Sequence, residues 1–268
     1  MREYRRRKDE FLRPAMSSST ALRIEIEHAL ERRFPAALTP APRAIRETAA
    51  TGIPEADALL GGGLPVGAIS EVIGPKSSGR ASLALSFLAE QTEEERVCVW
   101  VDAGDAFDPE SAAASGVSLR QLLWVRCNRE SAPAKEKPWT RLDQALRATD
   151  LLLQAGGFAA IVLDLSDMTP EDASRTPLAT WFRFRQAADR TRCCLVVLGQ
   201  AAYAQSSAAV VLECAPLQPR TAGGTLLSGF SFEIRRGRQR FTPAAIEARK
   251  PPASTWSAIG AWETEERA

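Results

Sequence analysis

The sequence contains the segment Gly74-Pro75-Lys76-Ser77-Ser78-Gly79-Arg80-Ala81, which has the glycine spacing of a phosphate-binding loop. The pattern of residues 68–73 before it predicts a strand, and the apolar spacing of residues 82–90 after it predicts a helix. In such a strand-to-helix turn, backbone N–H groups surround a phosphate. The segment therefore predicts a P-loop fold of the α/β class.

The last two positions of this loop depart from the Walker A pattern, which has Lys followed by Ser or Thr. Here they are Arg80 and Ala81. Phosphoryl transfer uses the lysine ammonium on the β- and γ-phosphates and the hydroxyl on Mg²⁺. A guanidinium is a broader, planar cation that does not simply replace an ammonium, and alanine has no hydroxyl. We expect weak phosphate binding at most and no hydrolysis, and residual binding of ATP and Mg²⁺ stays open.

From residue 51 to about residue 214, apolar runs alternate with segments of helical spacing. Continuous apolar runs such as residues 159–163 and 195–198 are typical of strands covered on both faces of a parallel sheet. The pattern predicts a mostly parallel central sheet flanked by helices. The predicted strands are 68–73, 96–101, 121–127, 158–165, 194–199 and 208–214, and the predicted helices are 79–91, 109–115, 140–155 and 177–190.

Three regions follow along the 268 residues. Residues 1–50 form an N-terminal extension, with helical spacing over 21–34 and then a proline-rich tether, and both Met1 and Met16 remain candidate starts. Residues 51–215 form the core. Residues 216–268 contain a short alternating strand at 230–234 and an arginine-rich tail.

The net charge of +1 and the pI near 7.6 give no overall attraction to nucleic acid, so such a partner would have to use a local cluster. The tail supplies candidates for contact with a partner protein or DNA: Arg235, Arg236, Arg238, Arg240, Arg249, Lys250, Trp256 and Trp262. The arginines also fit a solvated strand edge. The tryptophans also fit side chains that pack on the core, and these alternatives stay open.

Other function classes are disfavoured. Five cysteines without a CxxC pair indicate reduced, buried thiols and no metal centre, and His28 is the only histidine, remote from every motif. No run of about 18 apolar residues and no secretion signal is present, so we expect a cytoplasmic protein without a membrane partner.

Three further segments resemble RecA: Gly61-Gly62-Gly63-Leu64-Pro65-Val66-Gly67, Val101-Asp102-Ala103-Gly104-Asp105-Ala106-Phe107-Asp108-Pro109 and Val197-Leu198-Gly199-Gln200. The resemblance covers residues 51–215. It implies that Asp164 ends a Walker B strand, that Gln200 corresponds to the nucleotide-sensing glutamine, and that Gly104 replaces the catalytic glutamate. The implied vestigial nucleotide site is Gly74, Ser77, Ser78, Gly79, Arg80, Ala81, Asp102, Gly104, Asp164 and Gln200.

The two segments that correspond to the DNA loops of RecA are altered. Only residues 201–208 follow Gln200 before the next strand, and the segment after Asp164 is acidic, with Arg175 as its one arginine. Because lysine and arginine contacts to phosphates supply most sequence-independent DNA affinity, we expect no filament-type DNA channel. DNA binding elsewhere on the surface is open and is not required.

The reduced RecA-like core with both extensions is similar to the ImuA family of bacterial mutagenesis cassettes. The resemblance implies a non-catalytic accessory protein of damage-induced translesion synthesis that docks onto an ImuB-like inactive Y-family polymerase. RecA and an error-prone replicative-type polymerase are further implied partners, and the protein would be nucleoid-associated when recruited. The alternatives are a SulA-like cell-division inhibitor and a divergent ATPase. The ATPase would use Arg80 or Lys76 as its cation and Asp102, Asp105 or Asp108 as its base.

Overall fold

The structure is a computed structural model that describes residues 44–127, 140–222, 226–243 and 253–259. The chain divides into two compact units, Met1–Arg43 and Ala44–Ala268, and all described residues belong to the second. The predicted helix at 21–34 and the candidate contact residues Arg249, Lys250 and Trp262 lie outside the described residues.

The described residues form twelve strands and six α-helices. The strands are β1 (Ala44–Arg46), β2 (Thr48–Ala49), β3 (Leu64–Pro65), β4 (Ile69–Ile73), β5 (Cys98–Asp102), β6 (Leu122–Arg126), β7 (Ala160–Asp164), β8 (Cys194–Gly199), β9 (Ala208–Ala222), β10 (Leu226–Gln239), β11 (Phe241–Pro243) and β12 (Ala253–Ile259). The helices are α1 (Pro54–Leu60), α2 (Arg80–Glu93), α3 (Pro109–Ala114), α4 (Arg141–Ala155), α5 (Pro170–Ser174) and α6 (Leu178–Thr191).

Eight strands form the main sheet in the order β12-β10-β9-β4-β8-β7-β5-β6. The six strands from β9 to β6 are parallel, and β10 and β12 are added antiparallel at one edge. This mostly parallel sheet confirms the predicted fold class. Asp102 at the end of β5 pairs directly with Asp164 at the end of β7, so both carboxylates lie at the same edge of the sheet.

Helices cover both faces of the sheet, which explains the continuous apolar runs. Alternate strand residues belong to opposite core clusters: Trp100 lies in the cluster that contains residues of α1 and α2, and Val99 lies in the cluster that contains residues of α4 and α6. The predicted core strands and helices are all present. Two short helices, α1 and α5, were not predicted; each begins with a proline, which is favourable in the first turn of a helix.

The region after residue 215 differs from the predicted tail, because it contributes strands to the main sheet. β9 continues to Ala222, and β10 pairs with it and with β12. The strand that the alternation predicts at 230–234 is part of the longer β10 (Leu226–Gln239). Phe232 and Ile234 of this strand are buried on one face. Trp256 of β12 is 6% exposed and its ring lies 4.9 Å from that of Phe232, so this tryptophan packs on the core and not on an exposed tail.

Candidate functional site

The predicted phosphate-binding loop connects β4 to α2 at the edge of the sheet where the parallel strands end. Gly74 has φ +156° and Gly79 has φ +85°, and Ser77 between them also has a positive φ, +60°. A Cβ on Gly74 would lie 2.2 Å from the carbonyl oxygen of Cys214, so only glycine fits. α2 begins at Arg80 and has 14 residues, so its free N–H groups and its positive dipole end face the loop.

Two polar side chains of this loop are buried without a protein partner. Arg80 is 6% exposed, and its Nη1 makes no hydrogen bond among the described residues. Burial lowers the pKa of the Arg80 guanidinium, and the charge of Asp164 partly offsets this effect. Ser78 is 1% exposed, and its Oγ is also without a hydrogen-bond partner there. Unsatisfied buried donors are costly, so this arrangement favours binding of an acceptor group.

The carboxylate of Asp102 is occupied by its own loop. One oxygen accepts the Ala106 N–H at 3.1 Å, and the other accepts the Phe107 N–H at 2.9 Å and the Trp124 indole N–H at 3.3 Å. The side chain is completely buried. Asp102 therefore shapes the turn after β5 and has little capacity left for a ligand.

Asp164, at the end of β7, is the second buried carboxylate at this edge of the sheet. One of its oxygens accepts the Ser166 N–H at 2.9 Å. Burial raises its pKa above the ordinary range, Asp102 raises it further, and Arg80 lowers it. Asp164 and Arg80 line the same cavity.

Gly104 and Gln200 have structural contacts in this site. A Cβ on Gly104 would lie 3.0 Å from Cβ and Oδ2 of Asp167, so a larger residue here requires Asp167 to move. The Gln200 amide donates to the carbonyl oxygens of Ser166 at 3.2 Å and Met168 at 3.3 Å. Gln200 therefore ties the end of β8 to the turn that follows β7.

The other acidic residues considered as a replacement base are also engaged. Asp105 forms an ion pair with Arg126 at 2.8 Å, which lowers the pKa of the aspartate. Asp108 caps α3 by accepting the N–H groups of Glu110 and Ser111, and the Ser111 contacts lower its pKa. Neither side chain is arranged as a free base.

A cavity of about 490 Å³ lies beside the loop and is walled by aromatic rings that the sequence did not predict to be there. Phe232 of β10 packs against the loop so closely that a Cβ on Gly79 would lie 2.7 Å from its ring. Phe230 is 48% exposed at the same wall. The lining residues are Ser77, Ser78, Gly79, Arg80, Ala81, Ser82, Leu85, Trp100, Ala106, Phe107, Asp108, Asp164, Ser166, Asp167, Phe230 and Phe232. The alternating pattern at 230–234 indicated a strand, but no local signal indicated its contact with a loop 150 residues earlier.

The predicted row of arginines lies elsewhere: none of Arg235, Arg236, Arg238 and Arg240 lines this cavity. Arg235 pairs with Glu233 at 2.8 Å on the surface. Arg236 donates to the Leu59 carbonyl at 3.0 Å, and Arg240 donates to the Ser206 carbonyl at 3.2 Å. These contacts tie β10 to its neighbours, and Arg235 and Arg240 remain exposed.

Arg238 is anchored more deeply than the other three. Its guanidinium donates to the Gln205 carbonyl and lies 3.7 Å from Oε2 of Glu71, a fully buried residue in the middle of β4. The other Glu71 oxygen accepts the N–H groups of Tyr203 at 2.5 Å and Ala204 at 2.8 Å. Burial is the main effect that raises the pKa of Glu71.

The site presents more groups that suit the phosphate part of a nucleotide than groups that suit its metal. The loop backbone, the start of α2, Ser78 and Arg80 all present donors or positive charge. Ala81 has no hydroxyl for Mg²⁺, Gly104 has no carboxylate, and Asp102 is saturated with N–H donors. Among the described residues no group of three His, Cys, Asp or Glu side chains is arranged to hold a metal ion. None of the described helices is both long and apolar enough to cross a bilayer.

Comparison with known proteins agrees with this geometry. A family model of the RecA N-terminal domain matches residues 25–176, more than half of the chain. Protein RecA of Allorhizobium ampelinum is 40% identical over 127 residues, which are 47% of this chain and 32% of that protein. Protein RecA of Ruegeria pomeroyi is 39% identical over 127 residues, 47% of this chain and 33% of that protein. The match thus spans about a third of the length of these relatives.

A solved structure shares the fold. The crystal structure of the RadB recombinase matches with a TM-score of 0.55 and 16% sequence identity, over 78% of this chain and 94% of that one. At this identity the likeness supports the fold alone.

Proposed function

This chain belongs to the RecA N-terminal domain family, and we propose that it is a non-catalytic member, an accessory protein of damage-induced translesion DNA synthesis of the ImuA type. Its partner would be an ImuB-like inactive Y-family polymerase, with RecA and an error-prone replicative-type polymerase as further partners. The protein would act in the cytoplasm, associated with the nucleoid when recruited, and without a membrane partner.

The observation that supports the loss of catalysis is the simultaneous absence of three groups at one site. Arg80 replaces the lysine, Ala81 removes the metal-binding hydroxyl, and Gly104 stands where the catalytic carboxylate would be. Loss of a positioned general base alone lowers a rate by about 10²- to 10⁴-fold. The hydrogen bonds of Asp102, Asp105 and Asp108 leave none of them free to replace it.

The experiment is a measurement of ATP turnover by the purified full-length chain, with and without single-stranded DNA. We expect no turnover above background in either case. Rates like those of RecA would contradict the proposal. The Lys76→Ala/Arg80→Ala variant is the control, because activity that persists without either candidate cation comes from a contaminating ATPase.

The proposed docking surface contains two exposed arginines, Arg235 of β10 and Arg240 directly after β10. Both belong to the contact segment that the sequence predicts. We expect the Arg235→Ala/Arg240→Ala variant to bind the ImuB-like polymerase more weakly in a pull-down and in titration. Arg190→Ala is the matched control, since Arg190 is an exposed arginine on α6, paired with Gln154. Unchanged affinity of the double variant would exclude this surface.

One observation favours a second candidate, a divergent ATPase: the unpaired Nη1 of Arg80 lies in the phosphate-binding loop. In that case turnover would be lost in Arg80→Ala if Arg80 is the cation, or in Lys76→Ala if Lys76 is the cation. A SulA-like division inhibitor would instead lack turnover, would not bind the polymerase, and would block cell division when expressed. The turnover and pull-down assays together separate the three functions.

A further inference from the structure

We infer that the cavity beside the loop binds a phosphate chain without a divalent cation, taking free nucleoside diphosphate or inorganic pyrophosphate in preference to their Mg²⁺ complexes. This inference rests on the loss of catalysis proposed above and adds a ligand to the same site. It is carried by two features of the described residues: buried donors that lack partners, and carboxylates that are already occupied.

The donors converge on the start of α2. Ser78 and Arg80 are more than nine-tenths buried, both line the cavity, and Ser78 Oγ and Arg80 Nη1 lack a hydrogen-bond partner there. The first turn of a 14-residue helix adds free N–H groups and a positive dipole end. Phosphate oxygens would accept hydrogen bonds from all of these groups at once.

The acidic residues in the cavity do not leave a place for Mg²⁺. This ion prefers an octahedral shell of waters held by carboxylates. Asp164, the remaining buried carboxylate, lines the cavity together with Arg80, and a divalent cation there would be repelled by the guanidinium charge. Asp167 pairs with Lys76 at 3.3 Å, and Asp108 caps α3.

Arg80 therefore takes the place of the metal as the counter-charge of the phosphates. A guanidinium offers up to two parallel hydrogen bonds to a phosphate and keeps its charge even when buried. The apolar side chains of Trp100, Phe230 and Phe232 form part of the wall and strengthen this attraction by lowering the local dielectric. The cavity of about 490 Å³ is within the range of small-molecule sites, about 300–1,000 Å³.

The test is isothermal titration of the full-length chain with ADP and, separately, with inorganic pyrophosphate, each in EDTA and in excess Mg²⁺. We expect binding in EDTA and weaker binding in Mg²⁺, because the metal removes the negative charge that Arg80 recognises. Binding of pyrophosphate but not ADP would support a site for the phosphate chain alone. Binding of both would support a site that also admits the nucleoside.

Variants test whether the named side chains hold the anion. Arg80→Met should weaken binding in EDTA by about 10- to 100-fold, the range for loss of a hydrogen bond to a charged group. Ser78→Ala removes only a hydroxyl, so it can be measured even if Arg80→Met does not fold. It should weaken binding of the anion by several-fold. Arg235→Met is the matched control and should leave binding unchanged, since Arg235 is outside the cavity.

Three results would each overturn the inference: no binding of either anion at millimolar concentration in EDTA, binding in Mg²⁺ that is as tight as or tighter than binding in EDTA, or binding that neither Arg80→Met nor Ser78→Ala alters. Failure here would be distinct from failure of the proposed function, which is measured by turnover and by polymerase pull-down. Metal-free binding with strong turnover would contradict only the proposed function.

Discussion

Replacement of Gly79 by alanine tests the contact between the phosphate-binding loop and β10. Gly79 has φ +85°, where an L-residue costs about 1–2 kcal/mol. The new Cβ would also lie 2.7 Å from Cγ of Phe232. That ring cannot move away easily, since it is buried and lies 4.9 Å from the ring of Trp256. Overpacking adds about 1–3 kcal/mol, so Gly79→Ala should lower the free energy of unfolding by about 2–5 kcal/mol in total.

A double-mutant cycle separates the two contributions. In a Phe232→Ala background the ring and its Cγ are both absent, so Gly79→Ala should cost only the backbone part, about 1–2 kcal/mol. The two substitutions should therefore show a coupling energy of about 1–3 kcal/mol. The measurement is urea unfolding of the four proteins followed by circular dichroism. Gly157→Ala is the control, because Gly157 has φ +84° and its added Cβ would have no atom within 4 Å.

Additivity of the two substitutions within about 0.5 kcal/mol would refute this reasoning. It would mean that Phe232 does not pack on the loop in solution. The aromatic wall of the cavity, and with it the dry environment of Arg80, would then be absent. A cost of Gly79→Ala no larger than that of Gly157→Ala would lead to the same conclusion.

Three further substitutions test the buried carboxylates. Arg238→Met removes the cation that lies 3.7 Å from the buried Glu71 carboxylate. Breaking a buried pair costs about 3–5 kcal/mol, and because Arg238 is partly exposed we expect the free energy of unfolding to fall by about 1–3 kcal/mol. The control Arg235→Met, at an exposed pair, should change the free energy of unfolding by less than about 0.5 kcal/mol. Glu71→Gln tests the raised pKa of Glu71. As pH rises above about 4.3, the unfolded chain loses the Glu71 proton before the folded chain does, so wild-type stability should fall until the pH passes the folded-state pKa. Urea titrations across this pH range should show a smaller fall for the variant. Asp102→Asn keeps the shape of the side chain but weakens its hydrogen bonds from two backbone N–H groups. It should lower the free energy of unfolding by about 1–3 kcal/mol and leave ADP binding in EDTA unchanged. A loss of ADP affinity with unchanged stability would show that Asp102 belongs to the ligand site.

The sequence by itself determined the phosphate-binding loop, the α/β class and the substitutions from which the loss of catalysis is proposed. These features are local: glycine spacing sets the turn between β4 and α2, continuous apolar runs require a sheet covered on both faces, and Arg80, Ala81 and Gly104 are identified by their place in a motif. The strand ends are also local, so Asp102 and Asp164 could be expected at one edge of the sheet before the structure was known.

Only the tertiary structure decided what surrounds that loop. A period-two pattern identifies β10 as a strand with a buried face, but it does not say which strands pair with it or what Phe232 touches. The same holds for Arg238. In the sequence it belongs to a basic row, whereas in the structure its guanidinium lies beside Glu71 of β4. Both contacts join residues more than 150 positions apart, and they depend on the order of strands in the sheet. That order follows from burial and pairing energies summed over the whole core, which no single segment encodes.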